Sequence, residues 1–196
     1  MFVCFVIFRL FRILSSIFKL NILMIELPST IFLVGFMASG KSTVGPVLAA
    51  KFNCPFIDLD RLIEIESGSS IADLITRKGE EVFRRIETET LRKAALDARV
   101  VIAVGGGAIM AAENRRIMSQ AGIAVWLDAS FELCWQRIQQ DNLVRPLAPD
   151  EKAARERYEN RLPLYRYAAL HIPIEKDQPP DEIAESIIDR LRRDRK

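Results

Sequence analysis

Gly35-Phe36-Met37-Ala38-Ser39-Gly40-Lys41-Ser42 fits the phosphate-cradling pattern G-x-x-x-x-G-K-[ST] without a gap. Its flanks suit that reading. Ile31-Phe32-Leu33-Val34 reads as a short buried strand, and Thr43 to Phe52 as the helix that follows. There the glycines let the backbone wrap closely, so that successive N–H groups and the helix N-terminus face a polyphosphate. Lys41 is expected to reach the terminal phosphates, and the Ser42 hydroxyl to bind the Mg²⁺ that a nucleotide carries. Ala38, Ser39, Gly40 and Thr43 complete the expected nucleotide contacts. A glycine turn without a ligand is the alternative, disfavoured by the strand–loop–helix context. Pro46 lies inside the expected helix, where it removes one backbone hydrogen bond at about 3 kcal/mol in a free helix. A local kink that spares the loop is the expectation.

Outward from the loop, short apolar runs alternate with longer helical patterns, the signature of an α/β fold with a parallel sheet. The strands are expected at Ile31–Val34, Pro55–Leu59, Val100–Val104, Ile123–Leu127 and His171–Ile174. Helical patterns occupy 41–52, 60–67, 71–97, 112–120, 130–139, 151–167 and 181–194, with Ser70 and Ser130 placed to cap two of them. Glu80, Arg84, Glu87 and Lys93 give the 71–97 stretch a charged face that is expected to be solvated or paired.

Composition excludes several function classes. The 28 basic and 26 acidic residues leave a net charge of +2, and that surplus lies in residues 1–29, where Arg9, Arg12 and Lys19 face only Glu26. The remainder is balanced, so no nucleic-acid partner is expected. Cys4, Cys54 and Cys134 form no C-x-x-C pair, which fits a reducing compartment and a cytoplasmic protein. The single histidine, His171, is expected to be structural; a His-based metal site or a Ser-His-Asp triad has nothing to be built from.

Residues 1–29 are set apart as an apolar extension. Arg9, Arg12 and Lys19 break Met1 to Ile25 too often for a spanning helix, and no A-x-A-like cleavage site follows. An interfacial amphipathic helix touching a membrane is one reading. Translation from Met24 is the favoured one, with a single domain over 30–196.

Three further clusters bear on the chemistry. Asp58 and Asp60 sit two apart at the end of the second expected strand and should project together, as Mg²⁺ ligand through water and as proton acceptor, unless Asp60 only caps the next helix. Arg84 and Glu87 in Phe83-Arg84-Arg85-Ile86-Glu87 share a helix face, which a plain surface pair would also explain. Gly105-Gly106-Gly107 carries a high entropic cost, suited to a backbone that must approach a ligand closely, with a flexible turn as the alternative.

Taken with Arg145-Pro146-Leu147 and Arg161-Leu162-Pro163-Leu164-Tyr165, these stretches resemble the shikimate kinase family in order and approximate spacing over residues 30–194. The resemblance implies a three-layer P-loop kinase fold with a five-stranded parallel sheet of order 2-3-1-4-5 and a lid. It implies ATP-dependent phosphorylation of the shikimate 3-hydroxyl, with Mg²⁺, on the route to chorismate and the aromatic amino acids. Asp60 would then bind and deprotonate the acceptor hydroxyl, while Arg84, Arg161 and the N–H groups of Gly105, Gly106 and Gly107 hold the shikimate carboxylate. Glu87 would steady Arg84, and Ser42 and Asp58 would serve the metal. Lys41 and Arg145, the latter in a lid over Asp141 to Lys152, would neutralise the transferring phosphate, and Arg137 would lie against the adenine. A monomer without an obligate protein partner is expected. A gluconate-type kinase and a non-catalytic nucleotide-binding regulator are the competing readings.

Overall fold

The computed structural model describes residues 29–96, 99–140, 150–176 and 178–193. Its strands are β1 (Thr30–Val34), β2 (Phe56–Asp58), β3 (Val101–Ala103), β4 (Gly122–Ala129) and β5 (Leu170–Ile174). They pair in parallel in the order β2-β3-β1-β4-β5, as the resemblance implied. β1 is central, with Phe32 in register with Ile102 on one side and Ala124 on the other. All its residues are buried. Helices covering both faces leave no side for polar alternation.

The helices are α1 (Lys41–Phe52), α2 (Leu59–Ser67), α3 (Ile71–Lys78), α4 (Glu80–Ala94), α5 (Ala112–Ala121), α6 (Phe131–Gln140), α7 (Glu151–Tyr165) and α8 (Pro180–Arg193). α1 packs on α8, and α4 on α5, so the sheet is the middle of three layers. Leu33, Ile102 and Leu127 from the sheet and Leu48, Leu91 and Ile187 from the helices form one continuous apolar core. β1 lies between β3 and β4, its chain neighbour β2 lying beyond β3. The β1–β3 boundary is therefore the switch point, and a crevice opens beyond the carboxyl ends of those strands. The phosphate loop follows β1 and the glycine run follows β3.

The structure revises several expected boundaries. The 71–97 pattern is two helices, separated at Gly79, whose φ of 87° is left-handed. Glycine holds that conformation without steric cost, and its N–H still donates to the Ile75 carbonyl. Leu74 and Phe83 stay buried across the break, so apolar spacing alone could not reveal it. Ala108–Met110 forms a 3₁₀ turn that was not anticipated. Pro46 sits within an unbroken α1, whose Val44, Leu48, Ala49 and Phe52 are packed in the core. The Ser70 and Ser130 hydroxyls accept from the N–H groups of Asp73 and Leu133, as expected of helix caps. The expected extension up to Pro28, and the expected lid from Asp141 to Pro149 with Arg145, lie outside the described residues. Among the described residues, no helix is long and apolar enough to cross a membrane.

Candidate active site

The phosphate loop turns through left-handed backbone at Ala38 (φ 60°) and Gly40 (φ 103°) before α1 begins. The N–H groups of Thr43 and Val44 already donate to the Gly40 carbonyl, while those of Lys41 and Ser42 stand at the open end of the helix, where an anion is favoured. Lys41 lies back over the loop, its Nζ donating to the carbonyls of Gly35 (3.0 Å) and Phe36 (2.9 Å). Burial lowers the Lys41 pKa, and the strongest opposing influence is the Asp60 carboxylate. Arg137, on α6, donates to the Ala38 carbonyl at 3.2 Å and so borders the loop.

Asp58 and Asp60 do not share a strand face, contrary to the sequence expectation. β2 ends at Asp58, which caps α2 by accepting from the Arg61 N–H, and Asp60 lies in the first turn of that helix. The cap is thus the earlier aspartate. The two carboxylates take different directions because a helix turns each successive residue by about 100°. The Ser42 hydroxyl donates to Asp58 Oδ2 at 2.5 Å. A hydroxyl and a carboxylate side by side at the loop mouth are hard oxygen donors of the kind Mg²⁺ accepts.

Asp60 faces the glycine run instead. A side chain at Gly105 would meet Asp60 Oδ1 at 2.7 Å and Glu87 Oε1 at 2.8 Å. One at Gly107 would meet Arg84 Nη2 at 2.6 Å, and one at Gly106 the Met37 backbone N at 3.3 Å and Arg161 Nη1 at 3.5 Å. Each glycine therefore admits a different neighbour, which a merely flexible turn would not require. Burial raises the Asp60 pKa, and Lys41 only partly offsets it. Gly107→Ala should keep the backbone, because φ there is −98°, but its methyl must push the Arg84 guanidinium away from its present position. If Arg84 holds an anionic substrate, as the family resemblance implies, the displaced guanidinium should raise that substrate's KM by about tenfold, the loss of one charge-assisted contact. Steady-state kinetics alongside a melting curve would check both halves.

Arg84 is braced on its own helix. Its Nη1 donates to Glu87 Oε2 at 2.9 Å and its Nη2 to Glu80 Oε1 at 3.0 Å. Glu87 is thus paired, one of the two states expected of that charged face, and it is also buried: it is 1% exposed, and burial pushes its pKa up to about 7 despite Arg84. Arg161, on α7, is 5% exposed, and burial lowers its pKa. Arg84 and Arg161 line a cavity of about 250 Å³ together with Glu80, Met110, Arg157 and Asn160. The last three were not singled out from sequence. Arg157 had a usable signal, since it lies one helical turn before Arg161.

Tyr165 also escaped assignment, although it ends the Arg161–Tyr165 stretch. It is 1% exposed, stacks on Trp126, and its hydroxyl donates to the Gly106 carbonyl at 2.5 Å beside the Arg161 guanidinium. Burial raises its pKa, so the hydroxyl remains a donor. Tyr165→Phe should leave the Gly106 carbonyl without that partner and cost about 1–3 kcal/mol of stability. A denaturant titration would measure this; an unchanged midpoint would mean the hydrogen bond is inconsequential. The Asn114 amide donates to the Ala108 carbonyl and Arg115 to those of Ile109 and Met110, so side chains of α5 hold the turn after the glycine run.

His171, expected to be structural, stacks on Trp126 with ring centroids 4.4 Å apart, and its Nε2 is 2.5 Å from Asp128. Cys134 is buried, which pushes its thiol up to about 11. Among the described residues, no cluster of three His, Cys, Asp or Glu side chains is arranged to hold a metal ion.

The crevice thus joins a phosphate loop to a carboxylate and two arginines. A sequence model of the shikimate kinase family matches residues 37–192. A shikimate kinase from Synechococcus is 42% identical over 161 residues, covering 81% of this chain and 85% of its own. The solved structure of an Acinetobacter baumannii shikimate kinase in complex with shikimate superposes with a TM-score of 0.80 at 36% identity, covering 86% of this chain and 96% of that one. A gluconokinase from Sinorhizobium meliloti, at 17% identity and a TM-score of 0.55, shares the fold alone. With its order of motifs, its sheet topology and these similarities in agreement, the chain belongs to the shikimate kinase family.

Proposed function

We propose that this chain, through its domain 30–196, transfers the γ-phosphoryl group of ATP to the 3-hydroxyl of shikimate, giving shikimate 3-phosphate and ADP. The observation that carries this reading is the convergence of Asp60, Arg84 and Arg161 on a glycine run that faces the phosphate loop. Phosphoryl transfer needs little covalent help, so positioning and charge neutralisation do most of the catalytic work. Arg84 and Arg161 hold the acid group, since a planar guanidinium fork suits a carboxylate. This aims the hydroxyl at Asp60. As the hydroxyl oxygen bonds to the γ-phosphorus, its proton passes to the Asp60 carboxylate and the bond to the leaving ADP oxygen breaks.

Residues Ala38–Thr43 cradle the phosphates, and Lys41 exchanges its loop carbonyls for the terminal phosphate oxygens. Arg137 lies toward the adenine. Arg145 is assigned to the transferring phosphate on the resemblance in its Arg145-Pro146-Leu147 stretch. Ser42, with Asp58 through water, fits an Mg²⁺ ion arriving with the nucleotide; that ion would neutralise charge on the β- and γ-phosphates.

A coupled assay of ADP release with and without shikimate tests the reading. Release that depends on shikimate is expected. Release that depends on gluconate instead would transfer the reading to a polyol-acid kinase. ATP binding with no turnover on either would favour a regulator.

A further inference from the structure

Glu87 has one oxygen in use and one without a partner. Its Oε2 accepts from Arg84 at 2.9 Å, while its Oε1 is buried and has no hydrogen-bond partner among the described residues. That idle oxygen points at the glycine run. Asp60 Oδ1 and Glu87 Oε1 lie 2.7 and 2.8 Å from one point above Gly105, so they are at most about 5.5 Å apart, within the range where like charges oppose each other's ionisation. A buried acceptor left empty carries a desolvation cost, and a proton on it removes much of that cost.

The charges around Glu87 come from every neighbouring element. On its own helix stand Arg84 and, behind it, Glu80. From α2 comes Asp60, which Lys41 of α1 faces; from α7 come Arg161 and, beside it, Arg157. In the free protein Arg84 is thus already engaged by two carboxylates. A substrate carboxylate landing on Arg84 and Arg161 would be a further anion in this confined space.

We infer that binding of the carboxylate substrate is coupled to uptake of one proton from solvent onto Glu87 Oε1, making Glu87 a proton-linked positioning residue. The inference rests on the functional reading above, in which Arg84 and Arg161 hold the acid group. The proton leaves Oε2 free to keep accepting from Arg84 while removing the negative charge that would compete with the substrate. The sign follows from burial, which puts Glu87 near neutrality before substrate arrives and lets the incoming anion raise it further. Well below neutral pH the proton is already present and little is taken up. Above neutrality uptake approaches one proton, and the apparent Kd rises by up to about tenfold per pH unit.

Calorimetric titration of the intact protein with shikimate, in buffers of differing ionisation enthalpy at about pH 8, reads this uptake directly. The wild-type binding enthalpy should vary linearly with buffer ionisation enthalpy, at a slope approaching one proton. Asp60→Asn should keep that slope, and Glu87→Gln, which retains an oxygen for Arg84, should lose it. A flat wild-type response, a slope surviving in Glu87→Gln or one vanishing in Asp60→Asn would overturn the inference. The wild type and Asp60→Asn decide the matter even if Glu87→Gln does not fold. Absence of shikimate binding in every buffer would overturn the functional reading and this inference together, an outcome distinct from binding without proton uptake.

Discussion

Asp60→Asn is expected to bind ATP and shikimate and yet lose about 10²–10⁴-fold in kcat, the usual contribution of a positioned general base. The amide is nearly isosteric, so the first turn of α2 and its Asp58 cap should survive. What it cannot do is take the hydroxyl proton. The same variant carries a pH signature. Burial raises the Asp60 pKa in the folded protein, and the ionised form is the active one, so wild-type kcat should fall as pH drops through that raised value. In Asp60→Asn this acid limb should disappear from the residual rate. A near-normal kcat, or an acid limb that persists unchanged, would remove Asp60 from the base role.

Arg161→Ala carries the second large effect. A buried guanidinium facing an anion is worth about 2–5 kcal/mol when truncated, so the shikimate KM should rise by roughly 30–5,000-fold. The ATP KM should change little, because α1 and the phosphate loop make the nucleotide contacts in this reading. Arg161 is 5% exposed, and its lowered pKa reflects the desolvation cost it already carries in the free protein. A substrate carboxylate would offset that cost. Arg161→Lys should recover only part of the affinity, since a point charge lacks the planar fork. Steady-state kinetics with each substrate varied in turn would decide it, and a matching rise in the ATP KM would place Arg161 elsewhere in the mechanism.

Much of the site could be read before any fold was known, and for a local reason. The phosphate loop is one continuous stretch whose spacing carries the backbone geometry. Arg84 and Glu87 are three apart on a helix, and the ion pair between them follows from that spacing. The aspartate pair misled because alternation holds only while a strand continues. β2 stops at Asp58, so Asp60 joined the next helix and turned toward Gly105, while Asp58 stays beside Ser42. Met110 and Asn160 went unassigned because only the fold brings them to the cavity that Arg84 and Arg161 line, and Tyr165 because its partner is far away in the chain. The Tyr165 bond to Gly106 spans 59 residues, beyond any local pattern.

The chain by itself determined the alternation of strands and helices and the phosphate loop, since each rests on periodicity or on a short contiguous stretch, while Arg84 and Arg161 were tied to an acid group only through the family resemblance. Only the packed structure decided that Glu87 is buried as well as paired, that Asp58 ends a strand while Asp60 lies in a helix, and that Gly105, Gly106 and Gly107 each admit a different neighbour. Burial and close approach depend on what the opposite side of the crevice supplies, and β1, α2, α4 and α7 reach it from separate parts of the chain.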